Sequence, residues 1–414
     1  MTVSVFAILQ NWHNKSKFED LNNGESVFMR TKKYPFLLMC LLIVTGLPVL
    51  SAWARKDLQR TTKVVDIRFG MIEPPVVAQS DITVRAPASN QQLEAVPLEC
   101  SALAWADEQL LILSDRHDHI VFTCPLDLKK MTVGTPRPHV IIKNEQQLLR
   151  DAECMTVRRS PAGGYIVYAL CSLSNDQSEL PLPKRRHMLR FHLIKTDPFM
   201  FRNPLVINAS TIRDTVDSYF NMTGTEPYRA FYSDFTGTNQ NTYRWGNIEG
   251  ITFTPEDSAL LCAMRNPLHN EKAILFVVEN LDETFLALNP KNLRITDIFT
   301  LDLGSRGISD ISWDPLTKGY IITAAKSSGP KLSQDQPYPP NTLDGALFWW
   351  SGRKNEKPVL FAKFPDLKIE AVCRLGPNPY IAVGSDEADV SEGRPIQKQS
   401  ILTIMYFTGI DMKL

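Results

Sequence analysis

The sequence has no surplus of either charge: 45 Lys+Arg stand against 45 Asp+Glu. A nucleic-acid binder carries a basic footprint, and the totals offer none. It contains no P-loop, no paired CxxC and no HExxH. That removes the phosphate cradle of nucleotide hydrolases, cysteine zinc sites and zincin metalloproteases. No Ser-His-Asp spacing marks a serine hydrolase. What the sequence does have is apolar residues at 43% over 414 positions, with 28 Pro and 20 Gly. Such a chain can bury a sizeable core and make many turns, as two average domains or as one large all-β domain.

Residues 29–54, MRTKKYPFLLMCLLIVTGLPVLSAWA, do not read as part of that core. A basic start (Arg30, Lys32, Lys33) precedes an apolar run that ends in Ala52-Trp53-Ala54. This fits a secretory signal cleaved after Ala54, with translation beginning at Met29. The alternative is an uncleaved signal anchor, and only then is a membrane a partner. The sequence thus divides into an N-terminal extension and signal (1–54), a closing strand and linker (55–97) and a β domain (98–414). The expected location is periplasmic or extracellular. Export permits disulfides. Yet Cys100, Cys124, Cys154, Cys171, Cys262 and Cys373 fall mostly in apolar strand runs, where buried free thiols are the expected state.

A hairpin pattern recurs along the β domain: an acidic residue at a strand start, an alternating strand, a short turn, a second strand and a charge at its end. It occurs as LECSALAWADEQLLILSD (98–115), DAECMTVRRSPAGGYIVYALCSLS (151–174), GNIEGITFTPEDSALLCAMRNP (246–267), GISDISWDPLTKGYIITAAK (307–326) and KIEAVCRLGPNPYIAVGSD (368–386). Glu99 to Asp115, Glu249 to Arg265 and Glu370 to Asp386 are each 16 residues apart, and Ser309 to Lys326 is 17. Self-similarity of this length marks a repeat architecture. Two further strand candidates follow each hairpin, except in the last unit, which offers only Ile401–Phe407. The strand candidate VVDIRF (64–69) is available to complete it. The fold expected is an all-β propeller of five four-stranded blades, the last closed by an N-terminal strand. A degenerate sixth blade within 209–246 is the alternative.

In such a ring the turns between first and second strands lie on one face. Here they are short, with ordinary Gly, Pro and Asp chemistry. The long connections 175–186, 327–340, 387–398 and 209–246 lie on the other face, where function usually sits. The last contains a helix candidate, 210–220, with Ile212, Val216 and Phe220 on one stripe. It also contains Tyr228, Tyr232, Tyr243 and Trp245, which are either substrate-contacting aromatics or anchors for a long loop.

The repeat predicts that Glu99, Glu153, Glu249 and Glu370, with Ser309 in blade four, converge around one channel. Asp115, Arg265, Lys326 and Asp386 form a second layer, and Asp310 points to the other side of its strand. Converging carboxylates must protonate, pair or bind a cation. Oxygen ligands suit calcium or magnesium, with Glu99, Asp115, Glu153, Glu370 and Asp386 as the candidate ligands. His117, Asp118 and His119 add a further candidate cluster. The structural alternative is that each carboxylate binds backbone N–H groups of the next blade and holds the ring together. If the site is catalytic, the parts suit metal-assisted hydrolysis of an ester bond. Glu249 would serve as base, with Arg265 and Lys326 holding an anionic group. The expected partner is a small molecule or a cell-surface ligand, bound by a monomer; an interaction scaffold without a small-molecule site is the third alternative.

At NIEGITF, AMRNP, LDLGSRGISDISW and IEAVCRL the chain resembles a bacterial family of exported β-propellers of unknown function, similar in pattern to the esterase-like phytase propellers. The likeness covers roughly residues 95–385. It implies secretion, a propeller, and a phosphoester or ester substrate. The fourth-blade motif of that family tends to carry an Arg beside the Asp. Ser309 stands before Asp310 here, so an anion-binding role for blade four would fall to Arg306 or Lys326.

Overall fold

Strands such as Ile248–Phe253 and Leu260–Met264 carry apolar residues on both faces, and such strands need cover on both sides. Both are buried throughout. The computed structural model describes residues 76–82, 85–87, 95–174, 183–194, 196, 199–222, 247–266, 268–325, 345–365, 367–386 and 400–410, all within the unit Thr61–Leu414. The stretches 1–54 and 64–69 lie outside them, as do most of the long connections.

The chain enters with β1 (Val76–Ile82) and a small hairpin of β2 (Arg85–Pro87) and β3 (Ala95–Pro97). Blade one is β4 (Cys100–Ala106), β5 (Gln109–Ser114), β6 (Ile120–Asp127) and β8 (Arg137–Val140), with the short β7 (Thr132–Val133) on the far end of β6. Blade two is β9 (Ala152–Arg159), β10 (Tyr165–Cys171), β11 (His187–Ile194) and β12 (Met200–Asn208). Helix α1 (Ser210–Met222) follows, with Ile212 and Val216 buried as its stripe predicts. Blade three is β13 (Ile248–Phe253), β14 (Leu260–Met264), β15 (Ala273–Glu279) and β16 (Arg294–Leu301), with α2 (Leu281–Ala287) between its last two strands. Blade four is β17 (Gly307–Asp314), β18 (Gly319–Ala325), β19 (Gly345–Trp350) and β20 (Val359–Phe364).

Blade five is β21 (Ile369–Arg374), β22 (Tyr380–Ser385) and β23 (Ser400–Tyr406), completed by β1. The first strand of the described chain therefore closes the ring, pairing antiparallel with the last from Ala78↔Ile404 to Ile82↔Ser400. The expectation that an N-terminal strand closes blade five holds, but the strand is Val76–Ile82 and not 64–69. Both stretches read as strand candidates in sequence; Val76–Ile82 lies nearer along the chain to blade one.

The inner strands touch in cyclic order, β4 to β9 to β13 to β17 to β21 and back to β4. One apolar cluster fills each junction: Leu113 with Val167, Tyr168 with Phe276, Leu275 with Trp350, Leu347 with Val383, and Phe122 with Ile404 belong to successive clusters. Because β9 and β13 are direct neighbours, no sixth blade stands between blades two and three. All six described cysteines are free and buried. Among the described residues, no helix is long and apolar enough to cross a membrane.

Candidate functional site: an acidic channel mouth

Each inner strand carries a one-residue bulge near its start. The register of β4 on β5 slips between Cys100 and Ala102, and that of β9 on β10 between Ala152 and Cys154. The same slip falls between Ile248 and Gly250, Ile308 and Asp310, and Ile369 and Ala371. The bulged residues are therefore Ser101, Glu153, Glu249, Ser309 and Glu370. A bulge bends the strand and re-aims one side chain. Here the same device acts in every blade, at the same end of the channel.

Counting from the bulge gives two further layers. Two residues before it stand Glu99, Asp151, Asn247, Gly307 and Lys368. Opposite these, at the ends of the second strands, stand Asp115, Ser172, Arg265, Ala325 and Asp386. Backbone bonds from Ser172 N to Asp151 O (2.8 Å), Arg265 N to Asn247 O (3.0 Å) and Asp386 N to Lys368 O (2.9 Å) mark this pairing. The expected convergence of Glu153, Glu249 and Glu370 with Ser309 is present. Glu99 belongs to the adjoining layer, and the bulge position of blade one is Ser101, whose hydroxyl accepts from Asp115 N at 3.1 Å. Ala325 holds the blade-four position assigned to Lys326. Lys326, Tyr228, Tyr232, Tyr243 and Trp245 lie outside the described residues.

Glycine at 307 has a spatial reason. A Cβ there would come within 1.9 Å of the Arg265 carbonyl oxygen, a backbone atom that cannot swing aside. Gly307→Ala is expected to cost roughly 1–3 kcal/mol or more, as overpacking of a filled interior does. Urea denaturation checks this, and an unchanged midpoint would show that blades three and four can part at the mouth.

The charges of the mouth are unevenly matched. Arg265 Nη1 donates to Glu249 Oε2 at 2.8 Å and to Glu370 at 2.9 and 3.0 Å, spanning blades three and five. Asn247 Nδ2 donates to the other oxygen of Glu249. Lys368 Nζ lies 2.6 Å from Asp386 Oδ2 and 3.2 Å from Glu370 Oε1. Arg116 Nε donates to Glu99 Oε2 at 2.7 Å. Asp151 accepts from the hydroxyls of Ser172 and Ser174 and lies 3.3 Å from Arg185 Nη1. Asp151 thus joins Asp115 and Glu153 to make a cluster whose ligand oxygens all lie within 4.8 Å of one another.

The titrations follow from these contacts. Burial pushes Asp115 well above the usual carboxylate range, and the nearby charges of Glu99, Asp386 and Asp151 add to it. Burial does the same to Glu153, reinforced by Asp151, Asp115, Glu249 and Glu370. Glu249 is pushed up to about 7 by burial, even with Arg265 at hydrogen-bond distance, because that one guanidinium is shared with Glu370. Burial also opposes ionisation of Glu370, but Arg265 and Lys368 together outweigh it and hold its carboxyl below the usual range.

Two other sequence candidates prove to be structural. Asp310 is buried on the far side of its bulge, as expected, and accepts from Ile311 N and Val372 N, both at 2.8 Å, tying blade four to blade five. His117 packs edge-on against Phe122, while Asp118 lies 3.2 Å from His119 Nδ1 and 3.3 Å from Arg150 Nε. Backbone carbonyls of Asp118 and His119 receive Leu149 N and Ile141 N. This segment fastens the outer part of blade one and joins no acidic cluster among the described residues.

Asp151, Asn247 and Lys368 were not anticipated. The signal for them is positional: each stands two residues before a bulged Glu.

No family model and no curated protein matches the chain. Solved structures do. A luciferin-regenerating enzyme aligns over 75% of this chain and 82% of its own, at 9% identity and a TM-score of 0.33. A GH43 β-1,3-galactosidase solved with galactodeoxynojirimycin aligns over 83% and 99%, at 6% identity and 0.42. The Swd1 β-propeller domain from Myceliophteria thermophila aligns over 83% and 99%, at 10% identity and 0.29. Likeness at this level concerns architecture and carries no chemistry across.

Proposed function

We propose that the protein is an exported binding propeller that takes a small molecule or a surface-borne ligand at this acidic mouth, on the face of the long loops. The observation that carries the reading is the charge count. Among the described residues, Glu99, Asp115, Asp151, Glu153, Glu249, Glu370 and Asp386 meet Arg116, Arg185, Arg265 and Lys368, so seven acids face four bases. Low-dielectric walls focus that excess into the channel, and the complementary ligand brings positive charge. Export rests on the leader-like residues 29–54. Its check is N-terminal sequencing of the secreted protein, expected to begin at Arg55.

The binding reading is tested by thermal shift on chelator-treated protein, with spermidine, inorganic phosphate and glucose as probes. Spermidine is expected to raise the melting temperature, and Glu153→Gln to reduce that rise. Stabilisation by phosphate alone would overturn the reading, and no response to any of the three would leave the scaffold alternative.

One observation favours a second reading, a calcium- or magnesium-dependent hydrolase of phosphoesters or lactones. A Glu249 carboxyl poised near 7 suits a general base at neutral pH. Against it, the guanidinium that would hold an anionic substrate already spans two carboxylates. Turnover of a phosphoester or lactone panel, abolished by chelator and by Glu249→Gln, would favour the hydrolase.

A further inference from the structure

We propose that Arg158, Tyr168 and Arg190 form a second binding site, for a phosphate group, between blades two and three and remote from the acidic mouth. Three strands of blade two supply the donors: Arg158 lies near the end of β9, Tyr168 on β10 and Arg190 on β11. In the structure all three converge on one oxygen, Oδ1 of Asp282 in α2. Arg158 Nη2 donates to it, the Tyr168 hydroxyl donates to it at 3.0 Å, and Arg190 Nη2 lies 3.9 Å away. Two guanidiniums and a phenol thus share a single acceptor atom.

The unmet donors show what the cluster lacks. Among the described residues, Nε of Arg158 and Nε of Arg190 are both buried without a hydrogen-bond partner. Buried polar atoms are normally paired, so two such atoms on neighbouring guanidiniums call for an acceptor. Nε and Nη2 make up one edge of a guanidinium, an edge that takes an oxyanion in bidentate fashion. Arg374 shows the filled form within this fold: its Nε and Nη2 meet the two oxygens of Asp314. At Arg158 and Arg190, Asp282 reaches only the Nη2 of each edge. A carboxylate has too few oxygens for both edges and the Tyr168 hydroxyl. The tetrahedral oxygens of a phosphate group suffice.

The surroundings hold the donors in place and leave the acceptor free to move. Arg158 Nη1 donates to the Asp257 carbonyl at 3.0 Å, and its guanidinium lies 5.0 Å from the Phe253 ring centre and 5.6 Å from that of Tyr168. The charge of Asp257 is also felt by Arg158, but its hydrogen bond runs through that backbone oxygen. The side chains of Arg158 and Arg190 are 14% and 17% exposed, whereas that of Asp282 is 59% exposed and can turn out into solvent. Asp282 is thus a placeholder: it keeps the guanidiniums partly paired until an oxyanion displaces it.

The test is calorimetric titration of the full chain with sodium phosphate in a phosphate-free buffer, with sodium chloride at matched ionic strength as the blank. One phosphate per chain is expected. Asp282→Asn removes the competing charge yet keeps an oxygen for Arg158 and Tyr168, and should tighten uptake about ten-fold; Arg190→Gln should weaken it about ten-fold or more. Phosphate-free melting temperatures of both variants, expected close to that of wild type, separate lost binding from lost folding. Should Arg190→Gln melt early, Asp282→Asn alone decides. Glycerol phosphate run in parallel distinguishes the source: uptake of both compounds means that a phosphate borne on a larger molecule fits, and uptake of inorganic phosphate alone means a free ion. Absence of uptake by wild type and by Asp282→Asn would overturn the proposal. So would full-strength uptake by Arg190→Gln, which would reduce the cluster to a tie between blades. Glu153→Gln, at the mouth, should leave phosphate uptake unchanged, and Arg190→Gln should leave the spermidine response unchanged, so the two sites stand or fall separately.

Discussion

Replacing Arg374 with methionine is expected to destabilise the protein by about 3–5 kcal/mol, the range seen when one member of a buried ion pair is removed. Arg374 ends the inner strand of blade five, and Asp314 ends that of blade four. Asp314 is fully buried and Arg374 is 5% exposed. Arg374 donates to Asp314 through Nε at 2.8 Å and through Nη2, and its Nη1 reaches Phe407 O at 2.7 Å. The pairing is bidentate, the strong form of this contact. Asp314 also accepts from Leu316 N and from the Thr317 hydroxyl, so it is held in place before Arg374 arrives. Methionine would fill much of the volume and leave Asp314 buried without its cation. The double variant Asp314→Leu/Arg374→Met should recover a large part of the loss, since a buried pair exchanged for apolar groups is often close to neutral. Equilibrium urea unfolding of both variants is the measurement. A single-variant loss under about 1 kcal/mol would mean that the blade junction relaxes and lets water reach Asp314.

This strut lies at the opposite end of the inner strands from the acidic mouth, and Asp310 ties the same two blades between them. The division of labour bears on how the ring of carboxylates should be understood. The junction between blades four and five has dedicated polar ties of its own. The mouth acids are therefore not needed as backbone clamps there, and they satisfy one another's basic neighbours instead. Asp310 does what the structural alternative expected of Glu370: it accepts the backbone N–H of the next blade.

The blades were legible because their signals are local. Apolar runs, Gly and Pro turns, and a Glu before an alternating stretch recur at near-constant spacing. The strand Ser400–Tyr406 falls within one residue of the expected run Ile401–Phe407. Strand pairing at the mouth was harder to read. Side chains alternate with period two, so a two-residue slip preserves every inside and outside position. Matching LECSALAW to NIEGITF by its Glu therefore looked consistent, although the bulge falls at Ser101. The blade-four partner was missed through spacing: the 16 residues from Glu249 to Arg265, counted from Ser309, reach Ala325, one residue short of the charge at Lys326. Asp151 and Lys368 were invisible for a related reason. Neither is a repeat residue in type, since their layer holds Glu, Asp, Asn, Gly and Lys in turn; only the layer itself repeats. Chain closure by Val76–Ile82 depends on the reach of a linker, which local pattern does not encode.

The largest pH-dependent effect is expected from Arg265→Met. In the wild type, Glu249 titrates in the folded protein at about 7 against an ordinary value of 4.5. Between those values the folded protein keeps a proton that the unfolded chain has lost. Stability from this group therefore falls as pH rises through that window and is level above it. Glu370 has the opposite sign: its lowered folded value stabilises above the ordinary range, and that contribution is lost as pH drops through the folded value. Arg265 is the side chain that both contacts share. Without it, burial acts on Glu249 with little opposition, and Glu370 keeps Lys368 alone. Both folded values then move up, and the window in which ionisation opposes folding widens towards alkaline pH. The loss should be smallest near pH 5, where both carboxyls of the variant are largely protonated and what is missing is the pairing of Arg265 with an ionised Glu370. The variant should lose about 3 kcal/mol or more by pH 8, where two buried carboxylates face each other without their cation. Urea unfolding at half-unit pH intervals gives the comparison. Adding Glu249→Gln to Arg265→Met should flatten most of that slope while restoring part of the stability. A pH-independent loss, equal at pH 5 and pH 8, would mean that Arg265 acts through packing at the Gly307 contact and not through the charges it spans.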